Sequence, residues 1–229
     1  MGSVGEAGEL VGTPRGPARV YRTAPAPAQA PAWAARRGLL LLGHGAGGGV
    51  AAPDLVGVTT AASAAGFEVV RVEQPYRVAG RRAPAPAGQL DEAWLAVVDA
   101  VRPDDGIPLI VGGRSSGARV ACRTAAAARA AAVVCLAFPV HPPGRPERSR
   151  LPELDAVTVP VLVVQGERDP FGMPPPAPGR TVHRIPAANH ALRTDLPALG
   201  HAVVEWLRAT LSPTLSRGLS RGLSRGLSR

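Results

Sequence analysis

With 229 residues, 45% of them hydrophobic but only 3% aromatic, the chain is long enough for one domain whose core must be built from Ala, Val and Leu. All 26 basic residues are arginine, set against 17 acidic ones for a net charge of +9, but four of them lie in a C-terminal repeat and none is interleaved with aromatics, so the charge reads as compositional bias and no nucleic-acid partner is expected. Two cysteines exclude a disulfide framework, no basic-then-apolar leader opens the chain, and the longest apolar run, around residues 39–42, is far too short for a membrane span, which together read as a soluble, cytoplasmic protein.

Taken in chain order, residues 1–17 are Gly-rich and aperiodic and are expected to be a flexible N-terminus. ARVYRTA, from residue 18, alternates enough for an edge strand, and APAPAQAPA at 24–32 is a linker or long loop. RGLLLLGHGAGGG is a four-leucine strand that runs into a glycine loop. Residues 53–65 predict a helix stopped by Gly66, and FEVVRVEQP a strand closed by Pro75. After an Arg/Pro/Ala loop over 77–87, QLDEAWLAVVDAVR places Leu90, Trp94, Leu95, Val97, Val98 and Val101 at helical spacing, with Asp91 and Glu92 expected in the first turn.

PLIVGG is the next strand, and SGARVACRTAAAARA a helix of high-propensity residues. AVVCLAFP, PVLVVQGERD and RTVHRIPA read as three further strands, and LPALGHAVVEWLRATL as a closing amphipathic helix. Cys122 and Cys135 fall on an element each and read as small core hydrophobes. The remaining LSRG repeat, 212–229, carries a Gly at every fourth position and is expected to be disordered. Strands alternate with helices, and several strands are apolar throughout, as in a parallel sheet covered on both faces. The fold class is therefore α/β: a mostly parallel, doubly wound domain over residues 18–211.

The stretch VGGRSSGARVA, residues 111–121, has a strand before it, a helix after it and Gly-x-Ser-x-Gly between, the arrangement of a nucleophile elbow. On that tight turn the positions two before and two after the nucleophile must be small. Ser115 has Gly113 and Gly117 there, whereas Ser116 has Arg114 and Ala118, so Ser115 is the candidate nucleophile. The backbone N–H of Ser116 opens the helix and is expected to donate to an oxyanion. The second donor is expected from the glycine loop after the leucine strand, from Ala46 and next from Gly47. A P-loop is excluded, since no Gly-Lys-Ser/Thr follows. Gly43, Gly45 and Gly48 weakly match a dinucleotide-binding fingerprint, with Glu68 or Glu73 as its acid, and this is a minor alternative.

An acid and a histidine should follow the serine in that order. Asp169 sits past Gly166 and before Pro170 and Phe171, which can shield it; Glu167 reads as a solvated loop charge. Of five histidines, only His190 lies in a loop beyond the acid and after a later strand. His183 is inside a strand and His201 on the closing helix, while His44 belongs to the glycine loop and His141 follows a strand at the correct end of the sheet. Ser115 would attack a carbonyl, His190 would shuttle the proton, and Asp169 would hold the imidazole. His44, Arg114 and His141 are the candidate substrate-binding residues.

GGRSSGARVA, AFPVHPPG and PAANHAL resemble the α/β-hydrolase superfamily, and within it the dienelactone-hydrolase-related branch that includes the KANL/Tex-type hydrolase-like proteins, over most of residues 37–210. The resemblance implies that Ser115, Asp169 and His190 form the catalytic triad and that Arg114 and His141 mark the branch. Dienelactone hydrolases use cysteine where this chain has Ser115, so a dienelactone substrate is not implied. The span from Pro139 to Val159 has room for a loop but no lid domain, which favours small or exposed acyl substrates. The reading is a serine hydrolase that cleaves an ester or related acyl bond of a small molecule and needs no metal and no organic cofactor. A non-catalytic binding or scaffold protein on the same fold is the alternative.

Overall fold

Leu39, Leu40, Leu41 and Leu42 show where the core lies. All four are buried, and because side chains alternate along a strand, Leu39 and Leu41 enter one apolar cluster while Leu40 and Leu42 enter another on the opposite face. The structure, a computed structural model, describes residues 8–26 and 37–223, with 212–223 described by backbone alone. Its strands are β1 (Glu9–Val11), β2 (Ala18–Thr23), β3 (Gly38–Gly43), β4 (Phe67–Glu73), β5 (Leu109–Arg114), β6 (Ala132–Leu136), β7 (Val161–Gly166) and β8 (Arg180–Ile185). They form one sheet of eight strands in the order β1-β2-β4-β3-β5-β6-β7-β8. β1 pairs antiparallel with β2 and β2 antiparallel with β4, and every other pairing is parallel.

The helices are α1 (Pro53–Ala64), α2 (Pro75–Val78), α3 (Ala87–Val101), α4 (Ser116–Thr124), α5 (Leu151–Asp155) and α6 (Leu196–Leu223). α3 and α4 cover one face of the sheet through Trp94, Val97, Val98, Val120 and Ala121. α1 and α6 cover the other through Leu55, Val58, Leu199, Val203 and Leu207. The chain leaves β3 toward β4 on one side and returns to β5 on the other, so the winding reverses between β3 and β5. The C-terminal ends of those two strands, Gly43 and Arg114, border the crevice where such a sheet binds ligands. Between β6 and β7 only the short α5 intervenes, and there is no lid domain among the described residues.

Several boundaries differ from the sequence reading. Residues 9–11 are not part of a flexible tail: β1 covers the edge of β2 and buries Val11. α3 begins at Ala87, so Asp91 and Glu92 lie beyond its first turn and instead pair with Arg123 and Arg15. Pro75–Val78 is a helical turn at the start of the expected loop. α4 stops at Thr124 rather than running through the alanines, because Arg129 turns left-handed (φ 49°) to bring the chain back into β6 beside β5. At the other end, α6 continues to Leu223, past the expected boundary at 211. Residues 1–7, residues 27–36, which take in most of the Pro-Ala linker at 24–32, and the last part of the repeat (224–229) lie outside the described residues. Among the described residues no helix is long and apolar enough to cross a membrane.

Candidate active site

The elbow begins where β5 ends. Ser115 adopts φ 52°, ψ −108°, a left-handed conformation that costs a non-glycine residue about 1–3 kcal/mol. Its N–H donates to the Leu136 carbonyl (2.9 Å), which holds the turn against β6. A side chain at Gly117 would strike the Gly43 carbonyl, and one at Gly113 would come within 2.5 Å of the same oxygen, so α4 can start only where both are glycine.

The structure brings Ser115, His190 and Asp169 into one hydrogen-bonded chain. His190 Nε2 is 2.9 Å from Ser115 Oγ, and His190 Nδ1 is 2.9 Å from Asp169 Oδ2 and 3.1 Å from Oδ1. Asp169 has 1% side-chain exposure and accepts from the Phe171 N–H (2.9 Å) and the Gln165 amide (2.9 Å). An acceptor-only carboxylate at Nδ1 requires that nitrogen to carry the proton, which leaves the Nε2 lone pair facing the serine hydroxyl. Phe171 stacks on the His190 ring at 4.1 Å between centroids. The two loops meet because Gly166 ends β7 without a side chain: a Cβ there would lie 2.5 Å from the Ala188 carbonyl and 2.6 Å from that of Asn189. Glu167 is exposed, with its carboxylate accepting from the Ala187 N–H (3.3 Å), and His183 and His201 are exposed on β8 and α6.

Ser115 and His190 line a cavity of about 580 Å³ together with Ala46, Gly47, Ser116 and Arg114. His44, expected to face substrate, is instead buried behind the glycine loop. Its Nε2 accepts from the Gln74 N–H (3.1 Å), so Nδ1 carries the proton and donates to the Gly45 carbonyl (2.8 Å). Burial, only partly opposed by that carbonyl, holds the His44 ring below the ordinary imidazole value and hence neutral. The Gly45 carbonyl also accepts from the Gly48 N–H (3.2 Å). With that oxygen held from behind, the planar trans peptide turns the Ala46 N–H the opposite way. Tyr76 fixes the next peptide by donating its hydroxyl to the Ala46 carbonyl (3.2 Å). The loop turns back on itself before α1 begins at Pro53, so it lacks the helix start directly after the glycines that a dinucleotide fingerprint needs.

Arg114 does line the cavity, but its guanidinium is engaged: Nε pairs with the buried Asp54 (2.8 Å) and Nη2 donates to the His190 carbonyl (3.1 Å). It thereby ties the elbow to the start of α1 and to the histidine loop. His141 is not among the cavity-lining residues; its backbone N–H donates to the Phe171 carbonyl (3.1 Å), and its ring packs on Gly172. It braces the acid loop rather than facing substrate.

Sequence reasoning missed Gln165. It is fully buried on β7, and its amide nitrogen lies 3.1 Å from the Phe138 carbonyl, 2.9 Å from Asp169 Oδ2 and 2.7 Å from the Gly172 carbonyl. The signal was a lone amide in the otherwise apolar VLVVQG, since a buried polar side chain needs partners. Among the described residues no three His, Cys, Asp or Glu side chains cluster as metal ligands would.

The family described as alpha/beta hydrolase domain matches residues 36–195. No curated protein matches the chain by sequence. Among solved structures, it is similar to an α/β serine hydrolase without lid from Xanthomonas campestris (TM-score 0.68, 23% identity, over 93% of this chain and 96% of that one). It is also similar to Est1E from Butyrivibrio proteoclasticus (TM-score 0.69, 17% identity, 90% and 99%) and to a dienelactone hydrolase from Anabaena variabilis (TM-score 0.66, 19% identity, 89% and 97%). At these identities the likeness is one of fold, whereas the family match covers well over half of the sequence, and the chain belongs to the α/β-hydrolase superfamily.

Proposed function

We propose that the protein is a serine hydrolase that cleaves an ester or related acyl bond of a small substrate through an acyl-enzyme. The observation that carries this reading is the unbroken hydrogen-bonded chain from Asp169 through His190 to Ser115 Oγ, ending on a strained turn that opens into a cavity. Ser115 attacks the acyl carbonyl while His190 Nε2 takes its proton. The imidazolium so formed is stabilised by Asp169 and then protonates the leaving group. Water repeats the sequence on the acyl-enzyme, with His190 again as base. The N–H groups of Ala46 and Ser116 stabilise the tetrahedral oxyanion, with Gly47 the next donor along the loop. His44, Gln74 and Tyr76 support that role by fixing the peptides on either side of Ala46.

No cofactor takes part in these steps. The reading locates the protein in the cytoplasm, where the buried thiols of Cys122 and Cys135, 3.5 Å apart, stay reduced. The absence of a lid favours short or exposed acyl groups over long chains. The test is hydrolysis of 4-nitrophenyl esters of increasing chain length. Turnover that peaks at short acyl chains and vanishes in Ser115→Ala is the expected result. No turnover of any ester by correctly folded protein would favour a non-catalytic binding or scaffold role.

A further inference from the structure

We propose that the substrate's acyl portion carries an anionic group, a carboxylate or a phosphate, which pairs with Arg150 in the cavity that Ser115 opens into. This rests on the hydrolase reading above and names the substrate class for the same site. The charge inventory of the cavity carries it. Four arginines line the space, Arg114, Arg119, Arg150 and Arg193, against one carboxylate, Asp54. Two of the four are already matched. Arg114 is paired with Asp54 (2.8 Å), and Nε and Nη2 of Arg119 donate to the two oxygens of Glu153 (2.7 and 2.6 Å).

Arg150 and Arg193 have no side-chain hydrogen bond or ion pair among the described residues. Arg193 is exposed on the histidine loop, where water can satisfy it. Arg150 is half-buried just before α5, with its backbone N–H donating to the Val140 carbonyl (2.7 Å). Burial first, and then the positive charge of Arg119, pull its ionisation below an arginine's ordinary value, with Glu153 only partly offsetting them. Glu153 is held by both Arg119 and Arg123 (3.2 Å). An arginine remains charged at any physiological pH. A cation withdrawn from water beside a like charge, with no counter-ion of its own, is matched by an anion from outside the chain. The planar guanidinium fork suits carboxylate and phosphate oxygens alike.

The experiment compares kcat/KM for mono-4-nitrophenyl succinate, the 4-nitrophenyl ester of 3-phosphonopropanoate, and neutral 4-nitrophenyl pentanoate, in wild type, Arg150→Gln and Arg150→Lys. At least one anionic ester should exceed the neutral one by roughly 10- to 100-fold, the range of a charge-assisted hydrogen-bonded pair. Whichever anionic ester is favoured identifies carboxylate or phosphate as the group recognised. Arg150→Gln should remove most of that ratio, and Arg150→Lys should restore part of it. Raising the salt concentration should shrink the ratio. The proposal is overturned if the neutral ester is turned over as well as both anionic ones, or if Arg150→Gln, with an unchanged melting temperature, leaves the ratio unaltered. Should no ester be hydrolysed, binding of succinate and of phosphonopropanoate by calorimetry decides separately. Binding of either that is lost in Arg150→Gln sustains the anion site while the hydrolase reading fails, and no binding of either overturns the site as well.

Discussion

Arg114→Met separates the bracing role of that residue from a substrate-binding one. Asp54 has 1% side-chain exposure and Arg114 17%, so the pair is effectively buried, and removing one partner strands the other's charge. Such a loss costs about 3–5 kcal/mol. The lost donor to the His190 carbonyl adds about 1 kcal/mol and loosens the loop that carries the imidazole. The pH dependence has a definite sign. Burial already raises the Asp54 carboxyl above its ordinary value, against the opposing pull of Arg114 and of the Leu55 N–H. Without Arg114 it rises further. A carboxyl raised on folding contributes stability below its unfolded pKa and loses it as pH rises through the folded value. The deficit of the variant should therefore be smaller at about pH 5 than at about pH 8, as Asp54 takes up a proton. Urea unfolding at both pH values measures it. Arg114→Met/Asp54→Leu, which leaves no stranded charge, should recover at least about 2 kcal/mol over the single variant. A single-variant loss below about 1 kcal/mol, or a double variant no more stable than the single, would refute the buried-pair argument.

Asp169→Asn should keep the fold but lower kcat roughly 10⁴-fold in ester hydrolysis, by destroying the acceptor that selects the His190 tautomer; a loss under about tenfold would contradict that role. Gln165→Leu removes the amide that joins the Phe138 carbonyl, the Gly172 carbonyl and Asp169. It should cost about 1–3 kcal/mol in denaturant unfolding and lower kcat per active site, with active sites counted by fluorophosphonate titration so that loss of folded protein is removed from the comparison, and with little change in KM. Burial tends to raise the Glu153 carboxyl, but Arg119 and Arg123 together hold it below its ordinary value. Its contribution is thus present above the unfolded carboxyl pKa and lost as pH falls through the folded one. Glu153→Gln should accordingly destabilise by about 1–2 kcal/mol near neutral pH and by progressively less in acid, read from melting temperatures across pH.

Much of the architecture was legible because the core strands are apolar on both faces. GLLLLG, LIVGGR and VLVVQG can only be buried in a covered sheet, and glycines punctuate their ends. The elbow was legible for a steric reason, since only Ser115 has glycine at both crowded positions. β1 was not, because a three-residue strand with two exposed positions has no periodicity to read, and only pairing with β2 defines it. His44 was placed in the correct loop but given the wrong direction. A sequence shows that a residue lies in a turn, while the facing of its ring depends on Gln74, which approaches from just past the end of β4, thirty residues later. Arg114 lines the cavity as expected, but its pairing with Asp54, and the contact of His141 with the 171–172 backbone, were not legible because those partners are distant in the chain.

The central claim is that Ser115 is an activated nucleophile. Intact-mass measurement after exposure to a fluorophosphonate probe tests it most directly, with Ser115→Ala as the control. The account predicts a single adduct on wild type, mapped to the 109–119 peptide, and none on the control. An unlabelled, folded wild type, or equal labelling of the control, would contradict it.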